Sequence, residues 1–207
     1  MTTELEVVDV ECVRGDRHLF SGLSLSLQAG QIQCIEGANG TGKTSLLRII
    51  CGLSLPESGE ILWQGQPIGS QRTDYCRHLA YIGHSHGIKF ELSPLENLRM
   101  HVALGVSQPR VSFEEALQFV GLYPFRNDPC RKLSAGQHRR VAIARLLLSK
   151  ARLWILDEPV TGIDQEGVQN IESLFESHTA HGGMIVFTSH QPLCSGSTAV
   201  RSLRIEP

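Results

Sequence analysis

A glycine-punctuated loop between an apolar strand and a helix constrains this chain more than any other feature. Gly37-Ala38-Asn39-Gly40-Thr41-Gly42-Lys43-Thr44 follows the strand-like run 31–36 and leads into a helical stretch, 43–51, with Gly52 as its stop. Glycines let backbone N–H groups turn toward one centre, and the helix N-terminus behind them adds partial positive charge. The spacing G-x-x-x-x-G-K-[ST], set between a strand and a helix, predicts a phosphate cradle. Lys43 is expected to reach the β- and γ-phosphates of a nucleotide as a point charge. The Thr44 hydroxyl is expected to ligate Mg²⁺, and Ser45 completes the run. A chance glycine-rich turn is the competing reading. The loop alone fits kinases, GTPases and motors; a guanine-reading Asn-Lys-x-Asp sequence is absent.

The 207 residues, 41% hydrophobic and 19% charged, suit one α/β domain spanning 1–207. A net charge of −2 without a long charge run argues against a nucleic-acid partner. The six cysteines form no C-x-x-C pair, so they read as small buried side chains in a reducing compartment. Residues 1–10 lack the basic and apolar regions of a signal peptide, and no stretch approaches the roughly 20 apolar residues of a membrane span. The expectation is a soluble chain that reaches a membrane only through a partner.

Residues 5–10 and 23–27 alternate as half-buried strands, and 58–63 reads as a hairpin strand. From about 77 to 131 the pattern turns helical, with helix entries at Ser93-Pro94-Leu95-Glu96 and Ser112-Phe113-Glu114-Glu115. This region, extended to about 145, is expected to form a helical subdomain. Residues 134–150 read as a long helix, 153–156 and 184–188 as buried parallel strands, and 168–178 as a helix. The tail after Gln191 adds no domain.

Asp157 ends the strand 153–156, where α/β sheets bind ligands, and is expected to hold Mg²⁺. Glu158 follows it and is placed to polarise an attacking water. An acidic turn after a core strand is the bland alternative. His190 follows the strand 184–188 at the same sheet edge and is expected to position the water and base. Leu133-Ser134-Ala135-Gly136-Gln137 opens the helix carrying Arg139, Arg140 and Arg145. Ser134 is a natural N-cap and Gly136 would keep first-turn N–H groups accessible, making a second anion site. One chain needs only one phosphate cradle. The second site makes sense if it covers the nucleotide of another copy, bridged by the loop Thr161-Gly162-Ile163-Asp164.

In this order, the segments resemble the ATP-binding cassette family: Walker A, signature, Walker B, D-loop and switch histidine. The resemblance covers nearly the whole chain. It implies a P-loop NTPase with a RecA-like core, an antiparallel β subdomain and the helical subdomain. It also implies a head-to-tail homodimer that ATP closes and hydrolysis reopens, with Ser134, Gly136 and Gln137 acting across the interface. Two positions depart from the family pattern. His84 stands where the Q-loop glutamine is usual, and Arg14 where an aromatic usually stacks on adenine, with Phe20 the weaker alternative. A guanidinium can also stack on a base. His84 and His86 as a transition-metal pair is a remote reading.

Trp63-Gln64-Gly65, Ile82-Gly83-His84 with Gly87-Ile88-Lys89, and Ser189-His190-Gln191-Pro192-Leu193 resemble the ATP-binding subunits of cytochrome c maturation systems, also called haem exporters. That resemblance implies membrane subunits CcmB, CcmC and CcmD, the haem chaperone CcmE, and a place on the cytoplasmic face of the bacterial inner membrane. The docking patch is expected within 84–100. Competing readings are an ABC ATPase for another cargo, a soluble ABC protein of DNA repair or translation, and a nucleotide-dependent scaffold with little turnover.

Overall fold

A computed structural model describes residues 3–105, 111–189, 193 and 200–206. Its elements in chain order are β1 (Thr3–Arg14), β2 (Arg17–Gln28), β3 (Ile32–Glu36), α1 (Lys43–Ile50), β4 (Ser58–Trp63), β5 (Gln66–Pro67), α2 (Arg72–His78), β6 (Leu79–Ile82), α3 (Pro94–Leu104), α4 (Phe113–Phe119), α5 (Ala135–Leu147), β7 (Leu153–Asp157), α6 (Gln165–Ala180), β8 (Met184–Thr188) and β9 (Val200–Arg204). The strands form two sheets. One is antiparallel in the order β2-β1-β4-β5; the other runs β6-β7-β8-β3-β9 with every pairing parallel.

The central strands of the parallel sheet are buried on both faces, which explains why β7 and β8 read as unbroken apolar runs. Alternate residues serve different cores. Trp154, Leu156, Ile185 and Phe187 pack with the helical layer through Leu98, Leu117, Val141 and Phe175. Leu153, Ile155, Met184 and Val186 pack with α1 and the antiparallel sheet through Leu46, Ile50, Leu5 and Trp63. A parallel strand of period two thus joins both layers through one backbone. The result is a mixed α/β architecture, with a parallel sheet between an antiparallel sheet and a helical layer.

The region expected to be helical from about 77 contains β6. Its four residues show no alternation, and partial burial at three of them leaves little pattern to read. The strand exists because β7 offers it a parallel partner, Leu79↔Leu153 through Ile82↔Leu156. β9 was likewise not expected: Arg201, Ser202 and Arg204 are exposed, and pairing to β3 makes it a strand. The helix entries read at Ser93 and Ser112 both hold. Each serine closes a capping box with Glu96 or Glu115. No helix among the described residues is long and apolar enough to cross a membrane.

Candidate active site

The carboxyl ends of β3, β7 and β8 meet at one edge of the parallel sheet, because β8 lies between the other two. β3 delivers the chain into the glycine loop. Gly37 has φ +151°, and a Cβ there would lie 2.7 Å from the Ile205 carbonyl oxygen. Gly42 has φ +102°, and a Cβ would lie 2.9 Å from the Phe20 ring. Both positions therefore require glycine for conformation and for space. Behind the loop, α1 starts with Gly42 at its N-cap, no side-chain cap and no acid in its first turn. By contrast, side chains cap α3, α4, α5 and α6. The uncapped α1 amides are left for an anion.

A cleft of about 300 Å³ opens there, lined by Leu19, Asn39, Gly40, Gly42, Lys43, Thr44, Ser45 and Glu158. The Lys43 ammonium donates to the carbonyls of Gly37 at 2.7 Å and Ala38 at 3.1 Å, which holds it over the loop. Thr41 donates to the Ala38 carbonyl at 3.0 Å and braces the same turn. The Thr44 hydroxyl donates to Asp157 Oδ2 at 2.8 Å. These two hard oxygen ligands converge at the cradle, a donor set that suits Mg²⁺.

Asp157 is buried and doubly held, since Thr188 Oγ1 donates to its Oδ1 at 2.7 Å. The same Thr188 hydroxyl accepts from the Glu158 amide at 2.9 Å. Arg139 donates to the Asp157 carbonyl at 3.2 Å. Glu158 sits at φ +52°, although it precedes a proline, a position that favours extended backbone. Such a backbone persists only where the surroundings enforce it. Thr188 fixes its amide, and Thr161 donates to its Oε2 at 3.0 Å. No role for Thr188 or Arg139 emerged from the sequence. The signal for Thr188 was its place at the last position of β8, directly opposite Asp157.

The signature segment lies on the same side of the chain as the D-loop. Ser134 Oγ accepts from the Gln137 amide at 3.2 Å, and Gln137 Oε1 accepts from the Ser134 amide at 2.8 Å. A hydroxyl accepting there keeps its proton to donate. Gly136 also leaves room for its neighbour: a Cβ there would run into the Gly162 carbonyl oxygen. Asp164 caps α6 through the Gly167 amide at 2.8 Å and accepts from Arg140 at 2.5 Å.

His84 is exposed just past the carboxyl end of β6, beside the strand that bears Asp157. No group of three or more His, Cys, Asp or Glu residues among the described residues could hold a metal ion. Arg14 is exposed at the end of β1. Phe20 is buried against Gly42, which commits its ring to packing rather than to a base. Arg17, not singled out from the sequence, has its guanidinium 3.7 Å from where a Cβ on Gly40 would stand. His190 lies outside the described residues.

The ABC transporter family profile matches residues 20–161. The chain is 52% identical over 185 residues to the cytochrome c biogenesis ATP-binding export protein CcmA of Methylococcus capsulatus, covering 89% of each chain. It is 50% identical to CcmA of Tatumella citrea, over 97% of this chain and 95% of that one. CcmA of Escherichia coli K12 is 47% identical, over 97% and 96%. Among solved structures, an ABC transporter ATP-binding protein of Pyrococcus furiosus superposes with a TM-score of 0.81 at 25% identity, covering 98% of this chain and 97% of that one. Residues with the chemistry to cradle a triphosphate thus sit in a chain that matches this family over most of its length. The chain belongs to the ABC transporter family, in its CcmA branch, and is an ATP-binding ATPase of the ABC type.

Proposed function

We propose that this chain is the ATP-hydrolysing subunit of a membrane ABC complex for cytochrome c biogenesis, powering haem export or the release of haem-loaded chaperone. The observation that carries this reading is identity of 47–52% to CcmA export proteins over nearly the whole chain. Its partners are then CcmB, CcmC and CcmD at the cytoplasmic face of the inner membrane, with CcmE served indirectly. Affinity purification from membranes tests the pathway: CcmB-like and CcmC-like proteins are expected, and recovery of ribosomes or DNA instead overturns it.

Within the subunit, the loop 37–45 and the uncapped start of α1 hold the triphosphate, with Lys43 as its point charge. Arg14 stacks on the adenine. Thr44 and Asp157 would hold Mg²⁺, which when bound neutralises phosphate charge, with His84 in the place of the Q-loop glutamine. Glu158 accepts the proton of the attacking water and His190 orients it. Ser134, Gly136 and Gln137 complete the pocket of a head-to-tail partner. The tilt of Glu158 into the left-handed region supports its role, because strain of roughly 1–3 kcal/mol has to be held by neighbours. Glu158→Gln is expected to bind ATP, accumulate a closed dimer, and lose phosphate release by about 10²–10⁴-fold. Wild-type turnover in that variant would remove Glu158 as the base.

A further inference from the structure

The loop 83–89 joins the sheet to the helical layer, and its backbone is gripped from two helices. From α3, the buried Asn97 accepts from the Lys89 amide at 2.8 Å and donates to the Lys89 carbonyl at 2.9 Å. From the last turn of α5, Arg145 donates to the Gly87 carbonyl at 3.1 Å and to the His86 carbonyl. Both grips are on backbone atoms, so neither depends on the loop's own side chains. His84 is exposed and lies outside both.

Arg145 is unusual in what it lacks. Burial pulls its guanidinium below the ordinary arginine value, and among the described residues no carboxylate offsets it. A half-buried cation without an acid is costly. Two carbonyls and the negative end of the α5 dipole are what hold it. The opposite end of α5 is the Ser134 cap. Midway, Arg139 reaches the Asp157 carbonyl and Arg140 reaches Asp164. One helix thus connects the signature segment, the Asp157 strand, the D-loop and the loop 83–89.

We propose that Arg145 is a positioning residue that makes the loop 83–89 travel with the signature helix, through the loop's backbone rather than through the side chain of His84. This rests on the ATP-driven closure proposed above. The grip is on the carbonyls of residues 86 and 87, so the link does not need the side chain at position 84. A bidentate guanidinium fixes two successive carbonyls at once, so a displacement of α5 has to move residues 86 and 87 with it.

Hydrogen exchange of the full chain in the Glu158→Gln background tests this, with and without MgATP. MgATP is expected to change exchange at amides 84–90 and at the cradle amides 38–45. Adding Arg145→Ala is expected to abolish the nucleotide-dependent change at 84–90 while leaving that at 38–45. Arg145→Lys keeps the charge but not the fork, and is expected to leave a reduced response. A nucleotide response of full size at 84–90 in Arg145→Ala overturns the proposal, even where basal exchange has risen, because a merely structural grip would raise only the basal rate. Absence of any change at 38–45 before Arg145 is altered would strike the ATP-driven reading itself, and this inference with it.

Discussion

Thr188 uses one hydroxyl for two tasks: it donates to Asp157 and accepts from the Glu158 amide. It is fully buried, so neither partner can turn to bulk water if it is lost. Thr188→Val keeps the shape and removes both bonds. The expected cost is about 1–3 kcal/mol, since a buried donor and a buried carboxylate lone pair are left unmet. The strained Glu158 backbone is also released, so turnover should fall more than ATP affinity. Thr188→Ser should recover most of both, and a melting curve with steady-state kinetics reads the pair. At this scale the sequence was legible where chemistry follows from residue type and spacing. Lys43, Thr44, Asp157 and Glu158 all lie around one cleft or its rim. Thr188 was hidden because its meaning comes from a strand partner 31 residues away. The close approach of the Gly162 carbonyl to Gly136 was likewise hidden, because it joins two loops distant in the chain.

Between elements, β7 and α6 are joined by a stack that the function does not use. The His178 ring lies parallel to Trp154 with centroids 3.6 Å apart, and its Nε2 donates to the Arg152 carbonyl at 3.2 Å. Burial pushes the His178 pKa down to about 4, with His181 lowering it further against the Arg152 and Met184 backbone bonds. His86 is also pushed down to about 4, first by burial and then by the charges of Arg139, His138, His84 and Arg145. In the unfolded chain both imidazoles take up protons near pH 6.5. Between about pH 6.5 and 4 the unfolded state therefore binds more protons. Stability should be level above that window and fall as pH drops through it, by at most about 1.4 kcal/mol per pH unit for each histidine. Urea denaturation near pH 7.5 and near pH 5 measures the loss, and His178→Phe, which keeps the stack, should shrink it. Elements with their own periodicity or caps were legible, as at Ser93, Ser112 and Ser134. β6 and β9 were not, because backbone pairing to β7 and β3 makes them strands.

For the whole molecule, the two helix starts proposed to meet phosphate pose a question of stoichiometry. α1 opens with its amides uncapped, whereas α5 opens with Ser134 and Gln137 capping each other. The first start is ready to receive phosphates from its own chain's cleft. The second keeps a serine proton to donate, and Ser134 is not among the residues such as Lys43, Thr44 and Glu158 that line the cleft of the same chain. A head-to-tail pair gives each signature segment a nucleotide to cover, and two-fold symmetry then makes two identical pockets. Mixing subunits isolates this arrangement. Ser134→Arg should silence the signature, and Lys43→Ala the cradle, each inactivating both pockets of its own homodimer. A mixed dimer holds one pocket with both defects and one with neither. Random pairing of equal amounts should therefore restore about a quarter of wild-type turnover if pockets act independently. An ATPase titration across mixing ratios should peak at equal amounts. A straight line between the two parent activities would mean that each chain completes its own pocket, and the role of Ser134 across an interface would have to be abandoned.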